Sequence, residues 1–123
     1  MTFELTIETA EDLAALEIEA ERARLKARRD QALVSGITVA GMPIATDDTS
    51  QSRIVGAALA VINDPNLTIQ WKTEAGFVTL DAAQVLAVAQ AVRAHVQACF
   101  DREAELLDAL DAGEAYDAEV GWP

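Results

Sequence analysis

Apolar and polar residues alternate from Thr2 to Ile7, with Phe3, Leu5 and Ile7 on one side and Thr2, Glu4 and Thr6 on the other. A period of two predicts a short strand or extended arm. Thr9 followed by Asp12 has the form of a helix N-cap with an acid in the first turn. The helix that follows is predicted to reach about Val34. Its stripe is Leu13, Leu16, Ala20, Ala23 and Ala27, with Leu33 close to the same line. Ser35-Gly36 stops it, because glycine takes the left-handed cap conformation at little cost. Ile37-Thr38-Val39 and Met42-Pro43-Ile44 flank Ala40-Gly41 and predict a tight β-hairpin. Pro43 has no N–H to donate, so its strand belongs at an edge.

Thr46 to Gln51 is dense in capping residues, and Asp48 with Gln51 has the spacing of a reciprocal capping box. The next helix carries Ile54, Val55, Ala57, Ala58, Leu59, Ala60, Val61 and Ile62, apolar on nearly every side. Such a helix is expected to be the most buried element. Asn63 to Asn66 ends it. Leu67, Ile69 and Trp71 share one face of a predicted strand. The turn Thr73-Glu74-Ala75-Gly76 leads into the return strand Phe77-Val78-Thr79-Leu80, a second hairpin. Asp81 with Gln84 marks a capping box. Val85, Ala89, Val92, Val96, Cys99, Leu106 and Leu110 then recur at helical spacing to about Ala112, widened by Leu86, Phe100 and Leu107. A helix that long measures roughly 45 Å, more than a small core's diameter. Its second half must project, pack on the first helix, or pair with another subunit. The predicted fold is α+β: long N-terminal helix, short β-hairpin, buried central helix, second β-hairpin, long C-terminal helix.

Composition narrows the possible functions. The chain has 123 residues, 51% of them hydrophobic, enough for one domain with a real core. Net charge is −12, from 21 acidic and 9 basic side chains. Nucleic-acid binding requires neutralising phosphates, so no nucleic-acid partner is expected. Arg22, Arg24, Lys26, Arg28 and Arg29 are the exception, and they read as a solvated face paired with Glu17, Glu19 and Glu21. No apolar run reaches the roughly 18 residues of a membrane span, and the first residues lack the pattern of a secretion signal. A membrane partner is therefore not expected. The single cysteine, Cys99, reads as a reduced, buried thiol.

Candidate chemistry is sparse. His95 and Cys99 share a helical face, but a structural zinc site wants four such ligands. As a nucleophilic pair they lack an oxyanion hole and a third, orienting group. Six glycines stand singly, not in a phosphate loop. Asp47 and Asp48 read as capping residues and not as cation ligands. No catalytic residue, metal or cofactor is expected. Trp71 is a core anchor or a docking aromatic, and Trp122 either tucks into its own domain or inserts into a neighbour.

Several segments together carry a resemblance. They are Ile37 to Ile44, Thr46-Asp47-Asp48-Thr49-Ser50-Gln51-Ser52-Arg53-Ile54, Ile69-Gln70-Trp71-Lys72, and Gly76 to Gln84. In that order they resemble a domain-of-unknown-function family encoded in phage and prophage tail-gene neighbourhoods, often beside tail-fibre and fibre-assembly genes. The similarity runs from about Arg29 to Leu107, and the closing Gly121-Trp122-Pro123 is similar to endings in such proteins. The resemblance divides the chain into residues 1-28, an N-terminal arm and helix that adapts to a partner, and 29-123, a family-like core. It implies a bacteriophage tail-associated protein, structural or assisting assembly by tail-fibre docking or as a chaperone. Its partners would be phage tail or tail-fibre proteins, with homo-oligomers possible. Its place would be the virion tail, or the host cytoplasm during assembly. The alternative is an acidic phage-encoded inhibitor of a host protein. The contact residues expected on the tail reading are Leu13, Leu16, Leu106, Leu110 and Trp122, whereas the inhibitor reading expects acids arrayed in a row on one surface.

Overall fold

A computed structural model describes residues 9–123. The alternating segment Thr2 to Ile7 lies outside the described residues. Three helices and two antiparallel hairpins follow in the order helix, hairpin, helix, hairpin, helix, an α+β fold. They are α1 (Ala10–Leu33), β1 (Ile37–Val39), β2 (Met42–Ile44), α2 (Asp48–Asn63), β3 (Ile69–Thr73), β4 (Gly76–Leu80) and α3 (Ala82–Asp111).

Local signals set most boundaries. The Asp12 N–H donates to Thr9 Oγ1 at 3.1 Å and opens α1. Asp81 and Gln84 form the full capping box of α3, each side chain accepting from the other's backbone. At α2 the cap is displaced by one residue from the Asp48/Gln51 expectation. Asp47 is the N-cap and accepts from Ser50, while Gln51 donates its amide to the Thr46 carbonyl at 2.8 Å. In the β1–β2 turn both Ala40 and Gly41 have positive φ, 49° and 79°. This is the signature of the hairpin turn whose twist matches its strands. Thr38 pairs with Pro43, and a two-stranded ribbon has only edges, so the missing N–H is harmless. The second hairpin pairs Ile69 with Leu80 through to Thr73 with Gly76.

Neither ribbon is stable alone, so both press on helices. Ile44, Ile54, Val61, Leu80, Val85, Val88 and Val92 form the first core, with Trp71 packed against it. Leu25, Leu106 and Ala118 form a second core farther along α3, joined by Leu107, Leu110, Tyr116 and Trp122. Helix α3 is the shared wall. Helices α1 and α3 run antiparallel: Arg22 meets Asp111, Arg29 meets Glu103, and His95 meets Ala32. The second half of α3 therefore packs on α1, one of the three outcomes its length allowed.

The expectation that α2 is the most buried element is corrected. Helix α2 buries only Ile54 and Val61, while Val55, Leu59 and Ile62 are 58%, 59% and 62% exposed. One ribbon pair and one helix can cover a single side of it, and nothing among the described residues covers the other. On α1 the apolar stripe faces away from the core. Leu25 and Ala32 point inward, and Leu13, Leu16, Ala20, Ala23 and Ala27 are exposed.

Thr46 ties these parts together. It is fully buried. Its hydroxyl accepts from the Gly36 N–H at 3.0 Å and donates to the Leu33 carbonyl, satisfying the end of α1. Its own carbonyl receives Gln51 of α2. Thr46→Val keeps the shape and strands both backbone groups. The expected loss is about 2–3 kcal/mol of unfolding free energy, read by urea denaturation. A change below about 0.5 kcal/mol would show that the knot contributes little.

Candidate functional site

His95 and Cys99 are the residues with most chemical potential, and the fold commits both to structure. His95 is buried, and Nε2 lies 2.9 Å from the Ala32 carbonyl. A carbonyl only accepts, so Nε2 carries the proton. Cys99 Sγ is 3.9 Å from that same nitrogen. The nitrogen is then a donor toward the carbonyl and not a base toward the thiol. Burial pushes the Cys99 thiol up from its ordinary value, with only a weak opposing pull from Arg28. The pair holds α1 to α3. Among the described residues no three His, Cys, Asp or Glu side chains gather as a metal site requires.

The basic cluster of α1 is also structural. Within the helix Arg24 pairs with Glu21 and Arg29 with Asp30. Three of the five reach across the fold: Arg22 to Asp111, Arg28 to Glu119 at 2.8 Å, and Arg29 to Glu103 at 2.7 Å. Of the acids that precede the cluster only Glu21 pairs with it, and most of the pairing goes to α3 and the tail. Arg29 and Glu103 keep only 15% and 12% of their side-chain surface exposed. Burial alone would lower the Arg29 pKa, but hydrogen bonds to Asp30 and Glu103 and their charges outweigh it and raise it. The guanidinium carbon also sits 4.6 Å from the centre of the Phe100 ring.

The tail closes over this junction. Tyr116 OH donates to Glu21 Oε1 at 2.7 Å, and Trp122 Nε1 donates to the Ala118 carbonyl at 2.8 Å. Arg28 lies over the Trp122 ring, and Arg102 Nε donates to the Val120 carbonyl. Gly121 has φ +85°, a conformation that favours glycine, and a Cβ there would stand 2.7 Å from Arg102 Nε and push the guanidinium aside. The expected contact set therefore divides. Leu106 is 1% exposed and belongs to the second core, which corrects its assignment to a contact surface. Leu110 and Trp122 pack on the same core and are half-buried. Leu13 and Leu16 lie open on α1, 49% and 54% exposed.

Three surfaces are left for function. One is the α1 stripe. The second is the outer face of α2, with Val55, Leu59 and Ile62 at helical spacing. The third is a groove of about 770 Å³ between the hairpins, at the start of α2. Arg53 and Lys72 line it with Trp71, Glu74 and a largely exposed Phe77. Neither Arg53 nor Lys72 has an ion-pair partner among the described residues, and Lys72 lies 5.7 Å over the Phe77 ring. Trp71 packs against the first core and also lines the groove. Sequence pattern had no means of joining Arg53 to Lys72, because a helix and a hairpin bring them together.

These features define an α+β protein with a hydrogen-bonded interior and apolar faces turned outward. The chain belongs to the family described as Domain of unknown function (DUF4376), whose model matches residues 7–120. That match takes in α1 and crosses the boundary drawn at residue 28. No curated protein and no solved structure shows a significant match to the chain. No described helix is long and apolar enough to cross a membrane.

The tail's attachment gives a pH test. Burial, then the hydrogen bond from Tyr116 to Glu21 and the charge of Glu21, raise the tyrosine above its ordinary value of 10.0. A raised folded pKa means the contribution is complete below the unfolded value and disappears as pH climbs through the folded one. Trp122 fluorescence should report undocking above about pH 10, and Tyr116→Phe should remove that alkaline step. An unchanged step in the variant would assign it elsewhere.

Proposed function

We propose that the protein is a bacteriophage tail-associated component, structural or assisting assembly, that works through protein–protein contact and not through catalysis. The observation that carries the contact reading is the outward face of α2. Three large aliphatic side chains at 55, 59 and 62 stand in water on a helix whose other side is packed. Burying such a side chain is worth about 1.5–3 kcal/mol, so their placement is costly unless a partner covers them. The tail context is supported by the resemblance of the hairpin, capping and tryptophan segments to proteins encoded beside tail-fibre genes. A partner would be a tail or tail-fibre protein, met in the virion tail or in the host cytoplasm during assembly.

The net charge of −12 favours a second reading, an acidic inhibitor of a host protein. Mass spectrometry of purified particles separates the two. Stoichiometric presence selects a tail subunit. Absence together with fibreless particles in a deletion selects an assembly factor. Absence with normal particles selects the inhibitor and removes the tail proposal. Within the tail reading, Leu59→Asp with Ile62→Asp should reduce assembly into particles at least tenfold while the melting temperature stays within a few degrees. Normal incorporation of this variant would exclude the α2 face.

A further inference from the structure

Helix α1 has two faces, and the fold uses one. Its contacts with the rest of the chain come from the side chains of Glu21, Arg22, Leu25, Arg28 and Arg29 and from the carbonyls of Ala32 and Leu33 at its end. The opposite face carries Leu13, Leu16, Ala20, Ala23 and Ala27, at steps of three, four, three and four. That alternation is the seam of a coiled coil, with Leu13 at the first a position and Leu16 at the first d. In this register Leu25 and Ala32 fall at f, directly opposite the seam. The residues pairing with α3 and the tail fall at b and c. A second helix could occupy the seam without disturbing α3.

The flanking charges say which helix fits. The e and g positions beside the seam are acidic in the first half, Glu17 and Glu19, and basic in the second, Arg24 and Lys26. Glu17, Glu19 and Lys26 have no ion-pair partner among the described residues, and Arg24 meets only Glu21 of its own helix. A helix with an acidic first half and a basic second half complements a reversed copy of itself. We propose that α1 pairs antiparallel with α1 of a second copy of this chain. Ala20 then faces Ala23 of the partner subunit, Leu16 faces the partner's Ala27, and at each end of the overlap Leu13 lies against the partner's Asp30, the polar edge of the seam. Glu17 reaches the partner's Arg24, and Glu19 reaches the partner's Lys26, each pair occurring twice by symmetry.

The charges also reject the competing registers. A shorter antiparallel overlap that stacks the leucines sets Asp12 against the partner's Glu19. A parallel pairing sets Asp12 against the partner's Glu17. Both put like charges together across the seam, the parallel one setting Glu19 against the partner's Arg24 as well, and only the full overlap puts four opposite pairs and no like pair at e and g. The small residues at its centre allow the axes to approach toward the lower end of the 8–10 Å range. The proposal does not rest on the tail reading and stands or falls separately from it.

The full chain in sedimentation equilibrium should be a dimer. Glu17→Lys with Glu19→Lys should weaken it about a hundredfold, since four attractions become repulsions. Adding Arg24→Glu with Lys26→Glu to the same chain should restore it. A disulfide test fixes direction. Leu16→Cys mixed with Ala27→Cys should crosslink, while Leu16→Cys alone should not, because the two positions 16 lie roughly 16 Å apart in this register. Cys99 is fully buried and does not compete. A wild-type monomer at the highest soluble concentration would overturn the proposal. So would a dimer indifferent to the charge changes, or a crosslink from Leu16→Cys alone.

Discussion

A helix of 30 residues is about 45 Å long, and a domain of this size cannot surround it with one core. The rest of the fold follows from that constraint. The first half of α3 takes α2 and the two hairpins, and the second half takes α1 and the tail. Between the two cores, His95 and Cys99 occupy the face turned to α1. His95 there completes the hydrogen bonding of a carbonyl at the end of α1, and Thr46 completes the next one. Two small cores on one helix would be only loosely coupled if they shared nothing else. The buried polar links at the end of α1 give them a common joint, and unpaired buried groups there would cost more than the links contribute.

Features decided within a few residues were legible in the sequence. The caps at Thr9 and Asp81, the Ala40-Gly41 turn and the second hairpin rest on backbone hydrogen bonds between near neighbours. The face α1 turns inward was not legible, and the reason is specific. Its inward line is Arg22, Leu25, Arg29 and Ala32, and two of those four are arginines. An arginine buries its stem and keeps its charge near an acid on another element. Apolar periodicity cannot detect that arrangement, because it finds only the exposed stripe Leu13, Leu16, Ala20, Ala23 and Ala27. Helix α2 failed for the opposite reason. A helix that is apolar all round does not reveal how many neighbours will be available to cover it.

The same distinction governs the candidate surfaces. Leu106 and Trp122 were conspicuous in sequence because they are large and apolar near the end of the chain. The tail folds back on α1 and α3 through Tyr116, Glu119 and Gly121, and that return depends on partners some ninety residues away in the chain. The groove between the hairpins was invisible for a related reason. Among the described residues, five of the nine cations are committed to ion pairs on α1, α3 and the tail. Arg53 and Lys72 are among the remaining four, and only the folded chain places them on one groove. In a protein of net charge −12, the charged lining of that groove is two cations against Glu74, a formal sign opposite to the whole.

The first eleven residues of α1 are helical although all of them are exposed. By antiparallel register with α3, this stretch runs past the end of its partner at Asp111. An isolated helix that short is marginal in water, because nucleation must be offset by only a few hydrogen bonds. Here nucleation is supplied by the packed half from Glu21 onward, and Thr9 stops fraying at the other end. Propagation alone then keeps the overhang helical, and nothing within the described chain rewards its two leucines. An overhang that is cheap to keep helical and costly to leave bare presents a preorganised surface. A partner that covers it does not have to order the backbone first, so more of the burial energy appears as affinity.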